Sequence, residues 1–230
     1  MRGKNPVRPQ VLDRGEQLWI QEVFYTLQGE GPFSGHPAVF VRLGGCNLRC
    51  FWCDTDFESS TWVAGLDELL TRIESVRPPH CKLIVLTGGE PFRQNIVPFI
   101  ERLLERELSI QLETNGTLWL DLPEHANICI VCSPKTASLN PRILERVSAY
   151  KYVIAAGRTD VRDGLPNRST QQDGASTQIA RPPAGANVYV MPLDEDDGEK
   201  NAANRRHCVD IAKFFGYKLT LQTHKILGID

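Results

Sequence analysis

Three cysteines stand within one short run, Gly45-Cys46-Asn47-Leu48-Arg49-Cys50-Phe51-Trp52-Cys53-Asp54-Thr55. The spacing, C-x-x-x-C-x-aromatic-C, gathers three thiols where a closed metal site needs four. Iron–sulfur clusters that only carry electrons are normally held by four protein ligands, so three ligands on a four-iron cluster leave one iron open. An open coordination position is where a metal centre does chemistry. A zinc site would want a fourth ligand, usually from a second C-x-x-C or a paired histidine. The other close pair, Cys129 and Cys132, falls in a β-branched apolar run that stops short of Pro134 and reads as a buried strand. Residues three apart on a strand face opposite sides of the sheet. These two, with Cys81 and Cys208, are therefore expected in the core.

The elements that must position these thiols follow from hydrophobic periodicity. Strands are expected over 18–27, 37–43, 82–87, 109–114, 128–132, 150–154, 188–191 and 218–222, and helices over 66–76, 95–107, 141–147 and 201–215. Strands that alternate with helices imply parallel βαβ units. Polar or glycine-rich motifs fall repeatedly at strand carboxyl ends: the cysteine loop, Thr87-Gly88-Gly89-Glu90-Pro91, Glu113-Thr114-Asn115-Gly116, Ser133-Pro134-Lys135 and His224. In parallel α/β architectures that rim carries the active site. The fold class expected is α/β, a partial and open TIM-like parallel β/α barrel.

Residues 1–17, basic and without a following apolar stretch, are expected to form a flexible tail rather than a signal peptide. Residues 18–230 are expected to form a single domain. The segment 157–187, rich in Arg, Asp, Gly, Ser, Gln and Pro, reads as a long polar surface loop of little functional weight. The chain has 230 residues with 41% hydrophobic and 23% charged content and a net charge of −2. Those values suit an ordinary globular domain and give no sign of a nucleic-acid or membrane partner. The seven cysteines cluster as a cofactor motif rather than a disulfide frame, which points to a reducing cytoplasm.

The cysteine motif followed one βα unit later by Gly88-Gly89-Glu90-Pro91 resembles the radical S-adenosylmethionine (SAM) superfamily. Further matches are Leu27-Gln28-Gly29-Glu30-Gly31, the run from Phe40 through Arg42 to Leu48, Cys53-Asp54-Thr55, Glu113 to Gly116 and Ser133-Pro134-Lys135. Together they resemble the 7-carboxy-7-deazaguanine synthase family, from about Leu18 to the carboxyl terminus without the loop after Gly157.

The resemblance implies the following. Cys46, Cys50 and Cys53 hold a [4Fe–4S] cluster whose open iron takes the methionine end of SAM. Trp52 packs near the cluster and adenine, Gly88, Gly89 and Glu90 hold the methionine end, and Glu113, Ser133 and Lys135 also contact SAM. Leu27, Gln28, Glu30, Arg42, Thr87, His224 and the terminal Asp230 line a substrate pocket, and Thr55 binds Mg²⁺. A planar guanidinium suits a carboxylate, and an amide beside a carboxylate suits an aminopyrimidinone edge. The reaction implied takes 6-carboxy-5,6,7,8-tetrahydropterin to 7-carboxy-7-deazaguanine with loss of ammonia. A 5′-deoxyadenosyl radical abstracts hydrogen at C6, the ring contracts and SAM is regenerated. A homodimer and a flavodoxin-like electron donor are also implied. Two readings stay open beside it: an activating enzyme for glycyl-radical proteins, and a non-enzymatic iron–sulfur or zinc module.

Overall fold

The computed structural model describes residues 3, 5–171 and 178–229. In chain order the elements are β1 (Gln17–Leu27), β2 (Pro37–Leu43), β3 (Val63–Gly65), α1 (Leu66–Val76), β4 (Leu83–Gly88), α2 (Val97–Leu104), β5 (Ser109–Thr114), β6 (Ile128–Cys132), α3 (Pro141–Leu144), β7 (Val147–Ile154), β8 (Val188–Pro192), α4 (Gly198–Phe215), β9 (Lys218–Leu219) and α5 (Thr223–Leu227). The strands form one nine-stranded sheet in the order β3-β1-β2-β4-β5-β6-β7-β8-β9. From β2 to β9 every neighbour is parallel. The sheet ends at β3 on one side and β9 on the other without closing, so the architecture is an open, partial β/α barrel.

Strand β4 is apolar on both faces, as a parallel strand covered on both sides must be; its residues Leu83 to Leu86 are all buried. Leu69, Leu70 and Ile73 of α1 and Phe99, Ile100 and Leu103 of α2 pack against Ile84, Leu86, Ile110 and Leu112. Burying each such side chain is worth about 1.5–3 kcal/mol. A second core joins Cys208 and Ile211 of α4 to Tyr152, Ile154 and Val190. Helix α4 starts where the Asp197 carboxylate accepts hydrogen bonds from the amides of Glu199 and Lys200. Cys81, Cys132 and Cys208 are buried core residues, and Cys129 is half-buried on β6.

The structure departs from the alternation in four places. Strand β1 runs antiparallel to β2 and, through Gln17–Trp19, to β3. No helix joins β5 to β6. The helix expected over 141–147 is one turn, because Val147 and the residues after it belong to β7, paired with β6 and β8. Beyond β9 the chain turns into the short α5, so His224 sits on a helix and not on a strand exit.

Part of the amino-terminal segment, from Val7 to Gln10, lies along the cysteine loop and the turn after β4. Arg8 donates its amide to the Cys46 carbonyl, and Val7 bridges Cys46. The Gln10 side-chain amide donates to the carbonyls of Phe92 and Trp119, and Arg8 pairs with Glu58 at 2.8 Å. Backbone pairing, invisible in composition, supplies this order. No helix among the described residues is long and apolar enough to cross a membrane.

Candidate active site

The carboxyl ends of β2, β4, β5, β6, β7 and β8, with the antiparallel β1 alongside, open onto one cavity of about 580 Å³. Its wall holds Cys46, Cys50, Trp52, Cys53 and Thr55 from the loop after β2, and Thr87, Gly88 and Gly89 from β4. It also holds Glu113 from β5, Ser133 and Lys135 after β6, Leu27, Gln28 and Glu30 from β1 and its turn, Arg42 from β2 and His224 from α5. Asp230 lies outside the described residues. The rim thus brings together residues nearly 200 positions apart in the chain.

Glu90 is the exception. It is fully buried and absent from the cavity wall. Its carboxylate accepts from the Phe92 amide at 3.1 Å, the Thr114 hydroxyl at 2.7 Å and the Asn115 amide at 2.7 Å. Burial pushes it up to about 7 against the pull of those hydrogen bonds. Through these three bonds Glu90 ties the end of β5 to the glycine turn.

The two glycines before it are needed for the same junction. A Cβ on Gly88 (φ +126°) would stand 2.2 Å from the Leu43 carbonyl oxygen, and one on Gly89 would stand 2.0 Å from that of Gly45. Neither distance admits a side chain. The Gly89 amide donates to Leu43 and the Glu90 amide to Gly45, which seats the turn directly under the start of the cysteine loop.

The three thiols line the cavity, and no other cysteine does among the described residues. Burial, with the charge of Glu90 second, pushes the Cys46 thiol up to about 12, and burial likewise raises Cys53. Thiolates in this position need a cation to share, which an iron cluster provides. Among the described residues no three His, Cys, Asp or Glu side chains converge on a point as one metal ion requires. The donor set, three soft sulfurs spread along one wall with open space in front, fits a four-iron cluster with one exposed iron. Thr55 lies beside Asp54, whose other oxygen is taken by Lys225 at 2.7 Å. Both side chains line the cavity and offer it hard oxygen atoms, the kind a hydrated Mg²⁺ takes.

At the cluster end, the Lys135 ammonium donates to the Ser133 carbonyl at 2.8 Å and to its hydroxyl, and lies 5.5 Å from the Trp52 ring centroid. Burial holds the Lys135 ammonium below its ordinary range. Opposite, Glu113 was expected at the cofactor end with Ser133. Its carboxylate instead accepts from Gln28 at 3.1 Å, Gln111 at 2.9 Å and Lys151 at 2.8 Å, which places it with the Gln28-Gly29-Glu30 turn. Gln28 is buried and accepts the Glu30 amide on its own oxygen. Arg42 is held through Nε by Glu22 at 2.5 Å and lies over Phe24, whose ring stacks on Phe40.

Lys151, on β7, was not singled out from sequence. Its ammonium bridges Glu30 and Glu113 with the side chain only 6% exposed. Burial lowers its proton affinity, but the two carboxylates outweigh that and hold it charged. In return Lys151 outweighs burial at Glu113 and keeps that carboxyl low. The signal was present, since one lysine interrupts the apolar run from Tyr150 to Ile154. Lys225 was also missed; it joins Asp54 at 2.7 Å to Asp194 at 2.8 Å and so fastens α5, with His224, to the cysteine loop.

The radical SAM superfamily profile matches residues 40–156. A 7-carboxy-7-deazaguanine synthase from Rhodospirillum rubrum is 56% identical over the full length of both chains. One from Rickettsia prowazekii is 35% identical over all of this chain and 96% of its own. The crystal structure of QueE from Escherichia coli superposes with a TM-score of 0.64 at 26% identity, covering 90% of this chain and 94% of that one. With a cysteine-lined cavity on the rim of an open β/α barrel, these likenesses settle the kinship: the chain belongs to the 7-carboxy-7-deazaguanine synthase family of the radical SAM superfamily.

Proposed function

We propose that the chain is a lyase that converts 6-carboxy-5,6,7,8-tetrahydropterin to 7-carboxy-7-deazaguanine and ammonia, a step of 7-deazapurine (queuosine) biosynthesis. The observation that carries the reading is the meeting, in one cavity, of three cluster thiols with an amide–carboxylate pair and a guanidinium. A glycyl-radical-activating enzyme has no use for that second set, and a regulatory cluster module has no use for the cavity.

When bound, the cluster and SAM supply one-electron cleavage of a sulfonium bond and through it a carbon radical that can take hydrogen from C6. The chain's own residues do the rest. Cys46, Cys50 and Cys53 hold the iron. The close-packed Gly88-Gly89 backbone, Ser133, Lys135 and Trp52 form the wall on which SAM lies. Gln28, Glu30 and Glu113 present oxygen acceptors to the N–H donors of the aminopyrimidinone edge, and the Lys151 ammonium sits between the two carboxylates. Arg42, on the cavity wall, pairs with the substrate carboxylate, and Thr55 on the same wall holds Mg²⁺. Leu27, Thr87 and the apolar ring pair Phe24–Phe40 limit water at the reacting carbon. His224 adds its imidazole to the cavity wall from α5.

The reading carries with it a cytoplasmic homodimer supplied with electrons by a flavodoxin-like protein, and no nucleic-acid or membrane partner. Anaerobic reconstitution with iron and sulfide, reduction, and addition of SAM, Mg²⁺ and the carboxylated tetrahydropterin tests the function. The carboxydeazaguanine and one equivalent of ammonia are expected, and both vanish in Cys50→Ala. A protein that holds the cluster and cleaves SAM but leaves this pterin untouched would reject the substrate.

A further inference from the structure

The polar segment after Gly157 lies beyond the stretch that matches the superfamily, residues 40–156, yet part of it reaches the cysteine loop. The Thr170 hydroxyl lies 3.1 Å and the Gln171 side-chain nitrogen 3.3 Å from the Cys50 sulfur. Both are anchored. The Thr170 carbonyl accepts the Phe51 amide at 3.0 Å, and its own amide donates to the Lys135 carbonyl at 3.2 Å. The Gln171 carbonyl oxygen accepts the Arg49 amide at 2.9 Å, which fixes the amide so that its NH₂ turns to sulfur. Thr170 is 6% exposed.

Cys50 lines the main cavity and Thr170 does not; Thr170 lines an adjoining 250 Å³ hollow with Phe51 and Arg168. Neither Thr170 nor Gln171 is part of the main cavity's wall. Among the described residues the other two thiols have no such partners: Cys46 accepts the Leu48 amide at 3.4 Å, and the contact of Cys53 is to the Thr55 carbonyl at 3.9 Å.

A thiolate bound to iron has no proton to give, so both contacts must run toward sulfur. Hydrogen bonds to ligand sulfur favour the more negative, reduced cluster and raise its potential. We propose that Thr170 and Gln171 are positioning residues that donate to the Cys50 ligand and make the four-iron cluster easier to reduce by one electron. The inference rests on the three cysteines holding such a cluster and not on the identity of the substrate.

The test is a dye-mediated redox titration of the reconstituted full chain without SAM or pterin, followed by the electron paramagnetic resonance signal of the reduced cluster. Iron content is measured first. Thr170→Val and Gln171→Leu should each move the midpoint to more negative potential, and Thr170→Ser, which keeps the hydroxyl, should not. Together the two losses should change the reduced-to-oxidised ratio at a fixed poise by about tenfold, the effect of hydrogen bonds of ordinary net strength, or ~59 mV for one electron. If Thr170→Val fails to hold iron, the half-buried Gln171→Leu carries the comparison. Val and Leu variants that hold full iron and titrate at the wild-type potential, or above it, overturn the proposal. A wild-type protein that binds no four-iron cluster overturns the premise instead, and turnover with the pterin bears on neither result.

Discussion

Replacing Lys151 with methionine should be among the most damaging single changes away from the cysteines, and the damage should depend on pH. In the wild type one ammonium, 6% exposed, lies between the Glu30 and Glu113 carboxylates, which are 14% and 16% exposed. Methionine fills a similar volume but leaves two buried carboxylates without a cation. Breaking a buried pair by removing one partner costs about 3–5 kcal/mol. For a chain of this length each kcal/mol moves the unfolding temperature by about 2–4 °C, so a fall of roughly 6–20 °C is expected.

The sign with pH follows from the shifts. Glu113 is held below its ordinary value by Lys151, against burial. Its contribution is present above its unfolded value near ~4.3 and fades as pH falls through the lower folded value. Lys151 is held above its ordinary value. Its contribution is present below ~10.4 and fades as pH rises through the higher folded value. Between those limits the wild-type stabilisation is flat. In Lys151→Met burial drives the orphaned carboxyls upward, so the deficit should be largest near pH 8 and shrink toward pH 5 as one of them takes a proton. Differential scanning calorimetry of the cluster-free protein across that range reads it directly. Adding Glu113→Gln to Lys151→Met should recover part of the loss, since the pair is coupled. A deficit under about 3 °C at pH 8, or one that does not change with pH, would refute the reasoning.

Three further outcomes are expected. Arg42→Met should raise KM for the carboxylated pterin by about 10–100-fold, the worth of a charge-assisted hydrogen bond, with a smaller effect on kcat in steady-state kinetics. Gly89→Ala forces a Cβ to within 2.0 Å of the Gly45 carbonyl and should reduce iron bound per chain on reconstitution, while Gly65→Ala, where a Cβ meets nothing, should leave iron content unchanged. Thr55→Ala should raise the Mg²⁺ concentration needed for half-maximal turnover, and Thr55→Ser should restore it.

The parts of this fold that could be read in the sequence are those where one local pattern leaves one physical option. The apolar runs of β4 and β6 and the alternation of β5 read as strands, and the tight spacing of Cys46, Cys50 and Cys53 reads as a shared ligand set. What escaped was set by pairing at a distance. Strand β3 is three residues that become a strand only because Gln17–Trp19 lies beside them, and Val147 extends β7 because β6 is there to receive it. The same holds in the site. Glu90 belongs to a legible motif, but the motif does not show that its carboxylate also accepts from Thr114 and Asn115. Thr170 and Gln171 are ordinary polar residues in a polar loop until the fold carries them to Cys50. Lys151 is the case where a signal was there, since a charge inside a buried strand must have partners.

The most direct test of the central claim, that this cavity carries radical chemistry at C6 of a carboxylated pterin, is label transfer. The reconstituted, reduced protein is supplied with SAM, Mg²⁺ and tetrahydropterin bearing deuterium at C6, and recovered SAM is analysed by mass spectrometry. Deuterium should accumulate in the 5′ position of SAM while carboxydeazaguanine forms in excess over SAM consumed. Unlabelled SAM alongside product, or SAM cleavage in strict proportion to product, would contradict it.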